Sequence, residues 1–188
     1  MKTPDATAVQ AWCLVRIDAR PFAVALNSVA EIVEAEELVR LALCSPRVLG
    51  LCTYHRDLLP VISFSEGPPT PPGPAQGRLL IMILRSEHGT WGIRIDRGGT
   101  VVAEGPLDDP GAATAGPGGA VVIGSITRGE TTHAAIDAEA TWRNARDTIE
   151  RWYKGDRGRD WRHGAMTSQD FPRNGLGPPA NSASRDPR

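Results

Sequence analysis

The sequence predicts a mainly β protein built from small barrels and finished by a C-terminal helix. Three observations predict it. Short apolar runs rich in Val and Ile alternate with turn residues along most of the chain, which favours small barrels over a parallel α/β sheet. The pattern of strand, turn and strand, then irregular chain and more strands, occurs twice. One stretch with three/four apolar spacing, made by Trp142, Ala145, Ile149 and Trp152, ends the patterned chain.

The first hairpin is predicted over residues 13–26. Residues 13–18 form one strand, Ala19, Arg20 and Pro21 turn, and residues 22–26 return. Phe22, Val24 and Leu26 share one face at period two, and a proline's preset φ suits the turn. Asn27 is a good N-cap, so a short helix is predicted from there to about Glu37. Val29, Ile32 and Val33 would be its apolar stripe, with Glu31, Glu34, Glu36 and Glu37 in water. A less regular stretch follows to Pro46.

Residues 48–53 and 58–64 are predicted as strands around the polar insert 54–57. Pro60 has no N–H to donate, so its strand is an edge or carries a bulge there. Residues 66–77 are rich in Pro and Gly, which marks a linker or exposed loop. A second hairpin runs over 79–84, turns at 86–89 and returns over 91–96. Residues 100–103 give a further strand, and 105–119 a second Pro/Gly/Ala loop. Residues 120–126 and 132–137 pair across 127–131, which holds Gly129.

Asp137 can cap a helix over 138–153. Arg143/Asp147 and Arg146/Glu150 stand four apart on its outer face, and Gly155 is placed to end it. Its apolar stripe faces either its own barrel or a partner. The patterned domain is therefore read over 10–153. Residues 154–188 are read as a disordered tail, because Pro, Gly, Ser, Asn and charge cannot bury enough apolar surface to offset ordering entropy.

A length of 188 residues allows a sizeable core, and a formal net charge of −1 argues against a general nucleic-acid binder. The mildly basic patch of Lys154, Arg157, Arg159, Arg162 and His163 around Trp161 is diluted by Asp156 and Asp160. Residues 1–10 lack the apolar core of a signal peptide. The longest apolar run, 79–84, is far short of a membrane span, so no direct membrane insertion is expected. Cys13, Cys44 and Cys52 form no regular disulfide framework and suit a reducing cytoplasm.

Motifs that would carry chemistry are weak. His55-Arg56-Asp57-Leu58 copies the start of a kinase catalytic loop, but Ile62 stands where that loop needs a metal-binding Asn. Cys44, Cys52 and His55 match no compact zinc spacing, and Cys13 would have to complete the set from a distant strand. No local signature joins His55, His88, His133 or His163 to a thiol, and His88 and His133 are expected in solvent near turns. No catalytic residue, metal or cofactor is assigned.

The segment VLGLCTYHRDLLPVISF over 48–64 resembles the signature of the CheW-like family. In that signature a Gly is followed by apolar residues, an Asn, an Arg-Gly pair, then Pro-Val and Asp-Leu. Gly50 and Pro60 keep the family spacing without a gap. In that register Thr53 replaces the Asn, His55 the Arg, Arg56 the Gly, and Ser63 the Asp. FAVAL over 22–26, VAEIV over 29–33, WGIRID over 91–96, VIGSI over 122–126 and Ile136-Asp137 resemble further family segments. The likeness extends over about 10–153.

The resemblance implies two packed, five-stranded SH3-like barrels with a short helix after the first hairpin and a C-terminal helix. It implies a non-catalytic cytoplasmic adaptor that couples chemoreceptor signalling tips to the regulatory domain of a CheA-like histidine kinase. Partner-binding residues would be Glu31, Gly50, Thr53, His55, Arg56 and Pro60. Glu31 could pair with a cation of the 54–57 loop, where the family uses its Arg and this chain offers His55 or Arg56. A histidine partner would let go as it loses its proton, ordinarily around pH 6.5. Two alternatives stay open: a diverged barrel module scaffolding another signalling protein outside chemotaxis, and a small thiol-dependent enzyme. Gly50, Pro60, Gly92 and Gly124 also read simply as barrel bends, and Asp96 and Asp137 as turn or cap residues.

Overall fold

The computed structural model describes residues 10–154 except 40, 42–44, 46, 65–77 and 99. The loop expected at 66–77, Cys44, Gly155 and the tail expected at 154–188 lie outside the described residues, except Lys154, which belongs to the final helix rather than to a tail. The first half carries β1 (Gln10–Ile17), β2 (Arg20–Ala25), β3 (Val29–Ala35), β4 (Val48–Tyr54) and β5 (Asp57–Ile62). The second carries β6 (Leu79–Ser86), β7 (Gly89–Ile95), β8 (Val101–Gly105), the two-residue β9 (Thr114–Ala115), β10 (Val121–Arg128) and β11 (Thr131–Ile136), then α1 (Ala138–Lys154).

The strands form two sheets, in the orders β8-β1-β2-β11-β10-β9 and β3-β6-β7-β5-β4. Each is antiparallel except for one parallel pair, β2 with β11 and β5 with β7. The repeat visible in the sequence is real, and its two halves exchange hairpins. The β1–β2 hairpin completes the barrel of β8, β10 and β11, while β6–β7 completes the barrel of β3, β4 and β5.

Both barrels close in the same way. Each has a bulge before a glycine, between Val48 and Gly50 on β4 and between Val122 and Gly124 on β10. A Cβ on Gly50 would lie 2.8 Å from the Val39 carbonyl oxygen, and one on Gly124 2.8 Å from that of Asp109. Without side chains there, incoming backbone reaches the strand: Val39 and Leu51 exchange two 2.8 Å hydrogen bonds, and Asp108 N–H donates to Ser125 O at 2.9 Å. Gly50 and Gly124 are thus barrel-closing positions, whereas Gly92 makes room for the side chains of Ile81 and Val61.

The hydrophobic core has three parts. Trp12, Leu14, Ala23, Ala103, Ile126 and Ala135 fill one barrel. Cys52, Leu59, Val61, Leu79, Ile81 and Ile83 fill the other. Between them, the opposite faces of β1, β2, β6 and β7 supply Cys13, Val15, Phe22, Val24, Met82, Leu84, Trp91 and Ile93 to a shared core. Strands buried on both faces read as continuous apolar runs, which is why 79–84 shows no alternation.

The helix expected from Asn27 to about Glu37 is instead a single 3-10 turn, Leu26–Ser28, followed by strand β3. A bulge between Val29 and Glu31 shifts the pleat by one residue. Val29 and Ile32, three apart, therefore share the face toward the shared core, while Ala30, Val33 and Ala35 turn toward their own barrel. The bulge imitates helical spacing. The first hairpin also turns one residue earlier than predicted, at Asp18 and Ala19, both at positive φ, and Pro21 lies within β2 opposite Arg16.

The final helix forms as predicted. Asp137 Oδ1 accepts the Ala140 N–H at 2.9 Å, a side-chain N-cap. Trp142 and Ala145 are buried in the shared core, with Ile149 packed beside them, so the stripe faces the protein's own interior. Trp142 stacks on Trp91 with ring centroids 5.5 Å apart. Arg146 pairs with Glu150, but Arg143 reaches back to Glu139 at 3.7 Å rather than to Asp147.

Candidate functional site

The residues that the sequence analysis singled out lie around the β4–β5 hairpin. Its turn is His55 and Arg56, at φ 49° and 89°, between Tyr54 and its partner Asp57. Thr53 stands exposed on the outer face opposite Leu58, a leucine that is 55% exposed. Pro60 faces Leu51 across the hairpin. Pairing of β5 to β7 begins only at Val61, so the stretch from Asp57 to Pro60 has a strand on one side alone. In the mate barrel the corresponding parallel pairing also includes Ala134 opposite Phe22. Pro60 is thus an edge position on a strand that becomes interior one residue later, as its missing N–H requires.

Glu31 lies on β3 beside this hairpin and brings part of the predicted set together. Its Oε2 is 3.9 Å from His55 Nε2, with both side chains more than half exposed. Tyr54 joins them, although the sequence analysis placed it only in a polar insert. Its ring packs on the barrel core and lies 4.1 Å from the His55 ring. Partial desolvation first, and then the hydrogen bond its hydroxyl makes to the Glu31 carboxylate, raise Tyr54 above the ordinary tyrosine value of 10.0; nearby Arg85 acts the other way. The alternation Gly50, Cys52, Tyr54 was the available sequence signal for Tyr54. Nothing in the sequence pointed to Arg85.

Gly50 and Pro60 are not part of this cluster. Gly50 is buried against residues 38 and 39, so the backbone it admits is the chain's own. Arg56 is exposed in the turn, and the ion pair of Glu31 is with His55.

The other histidines and thiols lie elsewhere. His88 sits in the β6–β7 turn, 3.8 Å from Glu139. His133 is half-buried on β11 with Nδ1 shielded from water, not solvated as expected. Cys13 and Cys52 are buried, which raises both thiols, the reverse of an activated thiolate. Among the described residues no three His, Cys, Asp or Glu side chains are grouped to hold a metal. None of the described helices is long and apolar enough to cross a membrane. Asp96 and Asp137 act as turn and cap residues: Asp96 Oδ2 accepts Ala19 N–H at 2.7 Å.

Comparison with known proteins gives two findings. A family model described as CheW-like domain matches residues 12–142. The solved structure of the scaffolding protein TtCheW from Thermoanaerobacter tengcongensis superposes with a TM-score of 0.55 at 13% identity, covering 75% of this chain and 92% of that one. At that identity the likeness speaks for the fold. No curated protein sequence matches the chain.

Proposed function

The chain belongs to the CheW-like domain family, and from that premise we propose that it is a non-catalytic adaptor of chemotaxis-type signalling. It couples chemoreceptor signalling tips to the regulatory domain of a CheA-like histidine kinase, working by protein contact in the cytoplasm. The observation that carries the reading is the surface where β3 meets the β4–β5 turn. There Glu31, Tyr54 and His55 converge beside exposed Thr53, Arg56 and Leu58. An exposed leucine beside a partly unpaired strand offers apolar area and backbone hydrogen bonds to an incoming element. The charged residues around it give orientation more than affinity.

The test is direct binding of the purified full chain to a receptor signalling tip and to the CheA regulatory domain of the same organism. Saturable binding to both is expected. Binding to neither overturns the coupling role.

One observation favours a second reading, a barrel module serving another signalling protein outside chemotaxis. His55, Arg56 and Ser63 stand where the family signature carries Arg, Gly and Asp. Ser63 is buried, so its change alters the interior, whereas His55 and Arg56 alter the surface a partner would meet. Under this reading the chain stays folded yet binds neither chemotaxis partner.

A further inference from the structure

Arg47 stands at the other end of β4 from the His55 turn, across a seven-residue strand, roughly 20 Å away at strand rise. It lies where both halves of the repeat and the helix meet. Its backbone is fixed, its carbonyl accepting Ser63 N–H at 2.9 Å and its N–H reaching Ser45 Oγ at 3.3 Å. Its guanidinium lies across the Gly118–Gly119 turn, where a side chain on Gly119 would collide with it and come 3.1 Å from the Asn144 amide nitrogen. That amide donates to Gly119 O at 2.8 Å and holds the turn against α1. The missing side chain of Gly119 thus leaves room for the guanidinium, while Gly118 lies against the Phe64 backbone.

Among the described residues the donors of this guanidinium are barely used. A guanidinium carries five N–H donors. Its Nη1 donates to the Ser63 carbonyl at 3.5 Å, the long limit of a hydrogen bond. No carboxylate among the described residues pairs with it, while Arg16, Arg78, Arg94, Arg97 and Arg128 all find carboxylate or carbonyl acceptors. Half-burial lowers the pKa of Arg47 by desolvation, and no ion pair with a described residue opposes it. Withdrawing a cation from water without a counter-charge costs free energy, so an anion brought against Arg47 would offset that cost.

We propose that Arg47, backed by the Gly118–Gly119 turn and Asn144, is a seat for a carboxylate side chain of a docking protein. Its fork takes such a group with two parallel hydrogen bonds. This deepens the adaptor reading and rests on it for the identity of the partner. It supplies a second contact at the barrel junction, separate from the β4–β5 turn.

The test uses the full chain and a short glutamate-rich peptide, followed by NMR of the Arg47 side chain and of the Arg47, Gly119 and Asn144 amides. The same peptide with glutamine throughout is the control. Saturable shifts confined to these residues are expected, absent with the glutamine peptide. Affinity should fall by about tenfold or more in Arg47→Ala and by less in Arg47→Lys, which keeps the charge but not the fork. Shifts spread evenly over exposed arginines, or unchanged in Arg47→Ala, overturn the proposal. So does release of the Arg47 side chain in Glu66→Gln without peptide, since the seat would then belong to the chain's own carboxylate. Inorganic phosphate run in parallel should bind more weakly than the peptide; tighter binding marks a general anion seat and also overturns it. Because the probe needs neither receptor nor kinase, failure here and failure of the coupling role are read separately.

Discussion

Position 56 shows how a single backbone angle narrows the choice of residue. Arg56 holds φ 89° in the two-residue β4–β5 turn, a region glycine enters freely and other L-residues enter at a cost of about 1 kcal/mol. The family signature carries Gly at that place, so the turn geometry supports the ungapped register in which Gly50 and Pro60 both keep their spacing. Arg56→Gly is therefore expected to raise stability by about 0.5–1 kcal/mol, read as a higher urea midpoint at unchanged slope. A lower midpoint would show that the arginine side chain contributes more than its backbone strain removes. Tyr54 gives a second prediction at this scale. Its phenol is held above 10.0, first by desolvation and then by Glu31. A raised value in the folded state favours the neutral phenol. Its contribution to stability is thus complete below pH 10.0 and is lost as pH rises through the raised value. Glu31→Gln should shift the phenolate absorbance titration of Tyr54 to lower pH; an unmoved titration would mean that desolvation alone sets it.

At the scale of elements, legibility depended on whether local chemistry and tertiary context agreed. The final helix was legible because they did: Asp137 caps it and Trp142, Ala145 and Ile149 sit on the buried side. Trp142→Ala should therefore cost about 3–5 kcal/mol, through the cavity and the lost stack on Trp91. Asp137→Ala should cost about 0.5–2 kcal/mol, the range of a lost cap. Denaturant curves of the two variants check both sizes and their order. Strand β3 was misread because its bulge places Val29 and Ile32 on one face with a helical interval. The turn at Asp18 and Ala19 was misplaced because alanine rarely adopts positive φ and gives no signal of it. The candidate site was half legible. His55 and Glu31 could be named because their spacing resembled a known signature, and Pro60 because it lacks a donor. The Tyr54 bond to Glu31 depends on which strands close the barrel, and a linear pattern does not carry that information.

At the scale of the whole molecule, exchange of hairpins between the two halves of the repeat decides how the protein holds together. Neither half of the chain owns a complete barrel, because each barrel takes two long strands from the other half. The largest buried cluster belongs to neither barrel. It joins Cys13, Val15, Phe22 and Val24 of the first half to Met82, Leu84, Trp91, Ile93 and Trp142 of the second. Opening one barrel therefore withdraws a hairpin from it and exposes the shared core from which the other barrel and α1 also draw their burial. The cost of partial unfolding approaches that of global unfolding, so no half-folded species should accumulate. Far-ultraviolet circular dichroism, which follows all strands, and tryptophan fluorescence, which follows Trp12 within one barrel and Trp91 and Trp142 in the shared core, should trace one coincident transition in urea. Two separated transitions would mean that the barrels are held by their own interiors and that the shared core contributes little. Such independence would also loosen the hold of the Gly118–Gly119 turn and Asn144 on Arg47, because that turn and α1 belong to the other half of the chain from β4.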